Sequence, residues 1–161
     1  MNSFSHINNK GDANIVDISN KQKTKRIAIA TGIVNLGKDT LELIKNDKLK
    51  KGDVLATARI AGIMATKQTP NLIPLCHNIN IEFVKVEFDL DDENSQIIAT
   101  SECHTTEKTG VEMEALLSCS ITCLTIYDMI KSVDKEASIT EIKLVFKSGG
   151  KSGIFKRTWV Y

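Results

Sequence analysis

The residues best suited to chemistry lie inside an apolar run. From Gly110 to Val133 the chain reads GVEMEALLSCSITCLTIYDMIKSV, with no Gly or Pro after its first residue. Glu114, Asp128 and Lys131 interrupt a stretch that otherwise offers Leu116, Leu117, Ile121, Leu124, Ile126 and Ile130. Read as a helix, at about 100° per residue, it brings Glu114 and Asp128 within about 40° of each other and makes Asp128 and Lys131 i,i+3 neighbours. An acid–base pair near one end and a carboxylate near the other suit proton transfer. At about 1.5 Å per residue the two carboxylates stand roughly 21 Å apart along the axis, too far to touch one reacting atom. Either the substrate is long, or the two ends of the helix serve different copies of a site between subunits. A plain structural reading stands beside this one. In it Glu114 makes a cap contact, and Asp128–Lys131 is a surface ion pair worth under about 1 kcal/mol.

Other groups invite chemistry less directly. Cys76-His77 follows a connection stiffened by Pro70 and Pro74, and Cys103-His104 ends a later strand. In an antiparallel hairpin the two dipeptides would be close neighbours. Two Cys and two His are a zinc ligand set, but adjacent residues on a strand point to opposite faces, and no C-x-x-C or H-x-x-x-H spacing occurs. Zinc is therefore not expected. His77 sits where a proline-stiffened loop meets a strand, and it reads equally as a residue held for acid–base or hydrogen-bonding work and as a plain structural histidine. Lys51, just before a helix start, and Arg59 within that helix could meet an anion. GGKSG at 149–153 resembles the end of a phosphate loop, but Val145 stands where the motif needs glycine. A glycine-rich turn between Lys147 and Lys151 can still offer N–H and ammonium groups to phosphate, and a solvated tail is the competing reading.

The elements that must position these groups follow from periodicity and turn chemistry. Residues 1–24 are polar, with Ile7, Ile15, Val16 and Ile18 as the only aliphatic anchors, and are expected to be mobile or to order against substrate or a neighbouring subunit. Lys25–Leu36 reads as a first strand, Lys38–Asn46 as a short amphipathic helix, and Asp53–Lys67 as a helix with a narrow stripe of Val54, Ala58, Ala61 and Ala65. NINIEFVKVEFDL and QIIATSECHTTE alternate on either side of the DDENS turn, as a hairpin should. Ile139–Lys147 is the last strand expected. The order strand-helix-helix-strand-strand-helix-strand predicts an α+β fold: a ferredoxin-like antiparallel sheet with helices on one face, in a single domain over 25–161.

Composition removes several classes. With 21 basic and 20 acidic residues, no overall field points to nucleic acid or to an anionic membrane. No apolar run is expected to approach the length of a membrane span, and the first residues lack a signal-peptide layout. Four cysteines without a dense framework suit reduced thiols in a cytoplasmic protein.

KGDVLATARIAGIMA, LIPLCH, KTGVEMEAL, LTIYDMIK and SGGKSG occur in that order, after an N-terminal HIN…VDIS segment. Together they resemble the molybdenum cofactor biosynthesis protein C family over nearly the whole chain. One departure is visible: the family usually continues LCH with Pro-Leu, and Asn78-Ile79 stand here. The resemblance implies a homohexamer, a trimer of dimers with sites at the dimer interface. It implies a lyase converting 3′,8-cyclo-7,8-dihydroguanosine 5′-triphosphate to cyclic pyranopterin monophosphate with release of pyrophosphate, and no metal or organic cofactor. It makes Asp128 the general acid–base, with Lys131 tuning or sharing its proton. Substrate contacts map onto Leu75, Cys76, His77, Met113 and Glu114. Glu112 is expected nearby, although it lies about 160° round the helix from Asp128. Lys51, Lys147 and Lys151, with Arg26, are the candidates to neutralise the phosphates and the leaving group. A nucleotide-binding regulatory module and a purely structural oligomer are the competing classes.

Overall fold

A computed structural model describes residues 10–158. The first nine residues of the polar arm, with Ile7 and the HIN of its HIN…VDIS segment, lie outside the described residues, as do the last three. β1 (Thr24–Asn35) leads to α1 (Lys38–Lys45), α2 (Val54–Thr66) and a single turn, α3 (Thr69–Leu72). The hairpin β2 (Phe83–Asp91) and β3 (Gln96–Glu107) follows, then α4 (Glu112–Ile130), β4 (Ser138–Ser148) and a short β5 (Phe155–Lys156). The sheet order is β2-β3-β1-β4-β5, every neighbouring pair antiparallel. The fold is α+β, as expected. The fifth strand is the addition: its two residues pair with Phe146 and Lys147 and extend the sheet past the predicted edge.

The alternation of β3 is close to ideal. Ile97, Ala99, Ser101, Cys103 and Thr105 are buried, and the residues between them are half-buried. Ala28, Ala30 and Val34 of β1 share that core with Ala115, Cys119, Cys123, Ile126 and Ile130 of α4 and with Leu41 and Ile44 of α1. Small residues on β1 let α4 lie close. A Cβ on Gly32 would stand 2.8 Å from the Cys123 sulfur and 3.0 Å from that of Cys119. Close approach recurs between the two long helices, where a Cβ on Gly62 would strike the Thr122 hydroxyl. Gly62 thus takes the contact place that the sequence stripe gave to Ala61, because α4 crosses α2 one residue further along.

Asp53 caps α2 by accepting from the Ala56 N–H at 2.8 Å. The hairpin turn is tied by the Asp91 carboxylate, which accepts from the backbone N–H and the side-chain amide of Asn94. β2 begins five residues later than the alternation of NINIEFVKVEFDL indicates. Its first residues, 78–82, instead form a loop whose Asn80 carbonyl accepts from the Thr105 hydroxyl.

One expectation fails in a simple way. By length and composition α4 could cross a bilayer. Half of it is instead buried against the sheet and α2, through Ala115, Cys119, Cys123, Ile126 and Ile130, as in a core helix. Its polar residues also divide differently from the sequence picture. Glu114 is 3 % exposed, whereas the side chains of Asp128 and Lys131 are 58 % and 54 % exposed.

Candidate active site

The two ends of α4 carry different chemistry. At its C-terminal end Lys131 Nζ lies 2.7 Å from Asp128 Oδ1, the i,i+3 pair foreseen from spacing. Lys51 arrives from the loop before α2 on the other side. Its Nζ donates to the Asp128 backbone carbonyl at 2.6 Å and stands 3.6 Å from Asp128 Oδ2. Two ammonium groups therefore hold one exposed carboxylate. The hydrogen bond from Lys131, its charge and then the Lys51 charge keep the Asp128 carboxyl below its ordinary value, while Asp128 raises Lys131 in return. Asp128 is ionised at neutral pH and stands beside two cations. Arg59 is not part of this group. It donates to the Val86 carbonyl and lies over the Phe88 ring, a structural use.

At the N-terminal end a cavity of about 300 Å³ gathers Leu75, Cys76, His77, Glu112, Met113 and Glu114. These are the residues that the resemblance assigned to substrate, drawn together from the proline-stiffened loop and the first turn of α4. The described part of the arm closes one wall with Val16, Ile18 and Lys21. His77 Nε2 lies 2.8 Å from the Val16 carbonyl oxygen. A carbonyl only accepts, so Nε2 carries the proton, and in the neutral ring Nδ1 is left as an acceptor. Lys108 donates to the Ser19 carbonyl, and Lys23 pairs with Glu107, which ties the arm down further along.

A larger cleft of about 790 Å³ adjoins this cavity and shares Lys21, Thr109, Gly110 and Glu112 with it. Arg26 and Lys151 border it. Lys147 pairs with Glu112 at 3.0 Å, so Glu112 faces the cations and not Asp128, as its place on the helix requires. Arg26 donates to the carbonyls of Glu107 and Lys108. The Gly149-Gly150 turn, both residues at positive φ, fits against it: a Cβ on Gly150 would strike its guanidinium. The four expected cations thus divide. Lys147, Lys151 and Arg26 stand at the N-terminal end of α4, and Lys51 stands at Asp128.

Cys103 and His104 are not the neighbours of Cys76 and His77. The strand places opposite them belong to Val84 and Phe83, because β2 starts after the dipeptide. Sequence reasoning missed Lys21 as a site residue. Val16 and Ile18 were legible as anchors, but nothing in their spacing told where they attach.

The fold and site together define an α+β protein with a doubly paired carboxylate at one end of α4 and a basic cleft at the other. A family model described as the MoaC family matches residues 15–150. A cyclic pyranopterin monophosphate synthase of Clostridium perfringens (strain SM101 / Type A) is 54% identical over 154 residues, covering 96% of this chain and 98% of that protein. The proteins of the same name from Syntrophomonas wolfei and Clostridium acetobutylicum are 53% and 52% identical, over 93% and 96% of this chain and 96% of each relative. The chain belongs to the MoaC family.

Proposed function

We propose that the chain is a cyclic pyranopterin monophosphate synthase, a lyase of molybdenum cofactor biosynthesis. It takes 3′,8-cyclo-7,8-dihydroguanosine 5′-triphosphate to cyclic pyranopterin monophosphate and releases pyrophosphate. The observation that carries this reading is the gathering of Leu75, Cys76, His77, Met113 and Glu114 around one cavity beside a basic cleft. A purine-derived ring fits the first, and a triphosphate needs the second.

Arg26, Lys147, Lys151 and Lys21 neutralise the phosphate chain and stabilise the departing pyrophosphate. Asp128 moves protons on the ring system as it is rebuilt, with Lys131 and Lys51 holding it ionised and sharing the proton. No metal or organic cofactor takes part. Within one chain Asp128 lies a helix length from the cavity, so its carboxylate serves the cavity of a second copy. This supports a homohexamer built as a trimer of dimers, with each site shared across a dimer interface. The balanced charge and the packed α4 support a cytoplasmic enzyme without nucleic-acid or membrane partners. The described part of the arm, from residue 10 onward, covers the substrate cavity of the 25–161 domain.

The test is pyrophosphate release from the purified cyclised nucleotide by wild type and by Asp128→Ala, with folding and oligomeric state compared. Release by wild type alone is expected. Binding without release by either protein would favour a sensor, and equal release by both would remove Asp128 from the chemistry.

A further inference from the structure

Glu114 borders two cavities, although it is 3 % exposed. In front is the 300 Å³ cavity with Cys76 and His77. Behind it a cleft of about 430 Å³ opens between α2, the 78–82 loop and the start of β2. Thr66, Lys67, Asn80 and Glu82 line this rear cleft, and Asn78-Ile79, the departure from the usual family sequence, lie on it too. A carboxyl in that wall can face substrate on one side while the other side stays open to water.

Its surroundings favour the protonated form. Glu112 adds a like charge from the same helix. Cys76 and His77 face it from the loop, Lys21 from the arm, Cys103 from β3, and Lys67 and Glu82 from the rear. None of the ion pairs found among the described residues includes Glu114. A carboxylate buried without a cation keeps its proton in preference to its charge. Burial pushes the Glu114 carboxyl up to about 7, opposed by its own backbone N–H and helped by Glu112. Its influence reaches both neighbouring thiols: burial and then Glu114 raise Cys76, and Glu114 adds to the burial that raises Cys103. Asp128 is shifted the opposite way. Carboxyl groups driven apart in this manner divide acid work from base work.

We propose that Glu114 is a second acid–base residue of the site, a neutral carboxyl that protonates the substrate in the front cavity and is reloaded through the rear cleft. The proposal rests on the lyase reading above. In the step the Glu114 O–H bond breaks and its electron pair stays on the carboxylate. The proton forms a new N–H or O–H bond on the ring being opened. Solvent in the rear cleft returns a proton to the carboxylate before the next turnover.

Infrared difference spectra of the substrate-free protein, wild type against Glu114→Gln, read the proton directly. The wild type should show a protonated-carboxyl band at pH 6 that disappears through about pH 7 and is missing from the variant. A Glu114 carboxylate already ionised at pH 6 overturns the proposal. With the cyclised nucleotide as substrate, Glu114→Gln should lose about 10²-fold or more in kcat with KM nearly unchanged. It should also lack the fall in kcat that the wild type shows as pH rises through 7. Wild-type kcat in the variant overturns the proposal. Asn80→Phe, which narrows the rear cleft, should lower kcat several-fold at unchanged KM, and an unchanged kcat overturns the rear route. If the wild type releases no pyrophosphate, the lyase reading fails, and the proton donation proposed on it fails too. The infrared spectra still report whether Glu114 is neutral, so the two failures are told apart.

Discussion

Lys51 Nζ is 2.6 Å from the backbone carbonyl oxygen of Asp128 and 3.6 Å from its carboxylate. The loop before α2 is thereby fastened to the C-terminal end of α4, and Asp128 gains a second cation opposite Lys131. A carboxylate so placed stays ionised and accessible.

Removing either lysine should raise the Asp128 pKa, and Lys131→Ala should raise it more, since the Lys131 hydrogen bond is the largest cause of the depression. Carbon-13 NMR of the Asp128 carboxyl against pH reads this without reference to turnover. A titration midpoint unmoved by Lys131→Ala would mean that the ion pair does not persist in solution.

Glu114 should make stability fall as pH rises. Its folded-state pKa is raised from 4.5 to about 7, so folding takes up a proton between those values. The cost of the buried charge is absent below pH 4.5, grows across the interval and is complete above 7. Glu114→Gln escapes it. Urea denaturation at pH 5 and pH 8 should show the variant gaining on wild type by on the order of 2 kcal/mol at the higher pH. An equal difference at both values would show that Glu114 does not titrate there.

Gly62 should tolerate no side chain at wild-type stability. A Cβ there strikes Thr122, whose hydroxyl already donates to the Ser118 carbonyl within α4. Gly62→Ala should cost about 1–3 kcal/mol through helix separation, more than the helix propensity of alanine returns. The midpoint of urea unfolding should fall with an unchanged slope. A stabilised variant would place α2 further from α4 than described.

The Val16 carbonyl fixes the His77 ring, and Val16 and Ile18 wall the cavity. Deleting residues 1–18 should leave the sheet intact by circular dichroism and lower kcat/KM about tenfold or more through misplacement of His77. Unchanged kinetics would show that the arm has no part in the site.

Much of the sheet was legible because its cues are local. Alternation over 96–107, the acidic turn and the β-branched run of β1 each point to one element, and the elements agree. The i,i+3 pairing of Asp128 and Lys131 was legible for the same reason. Exposure was not. Periodicity puts Glu114 and Asp128 on nearly the same side of α4, but it does not say that the loop at 75–77 covers one end and leaves the other open. The division of the cations was equally hidden, since Lys51 reaches Asp128 across 77 positions of chain. The late start of β2 depends on Asn80 and Thr105 meeting in space, and β5 on two residues finding the β4 edge. These are tertiary hydrogen bonds with no period to announce them.

The most direct test of a site shared between copies is pyrophosphate release by a mixed assembly of Asp128→Ala and His77→Ala chains. Each variant alone should be inactive. In a mixed dimer one site collects both defects and the other collects none. Random mixing at equal amounts should therefore restore about a quarter of wild-type activity. Persistent inactivity, with mixed dimers shown to form, would contradict the account and confine each site to one chain.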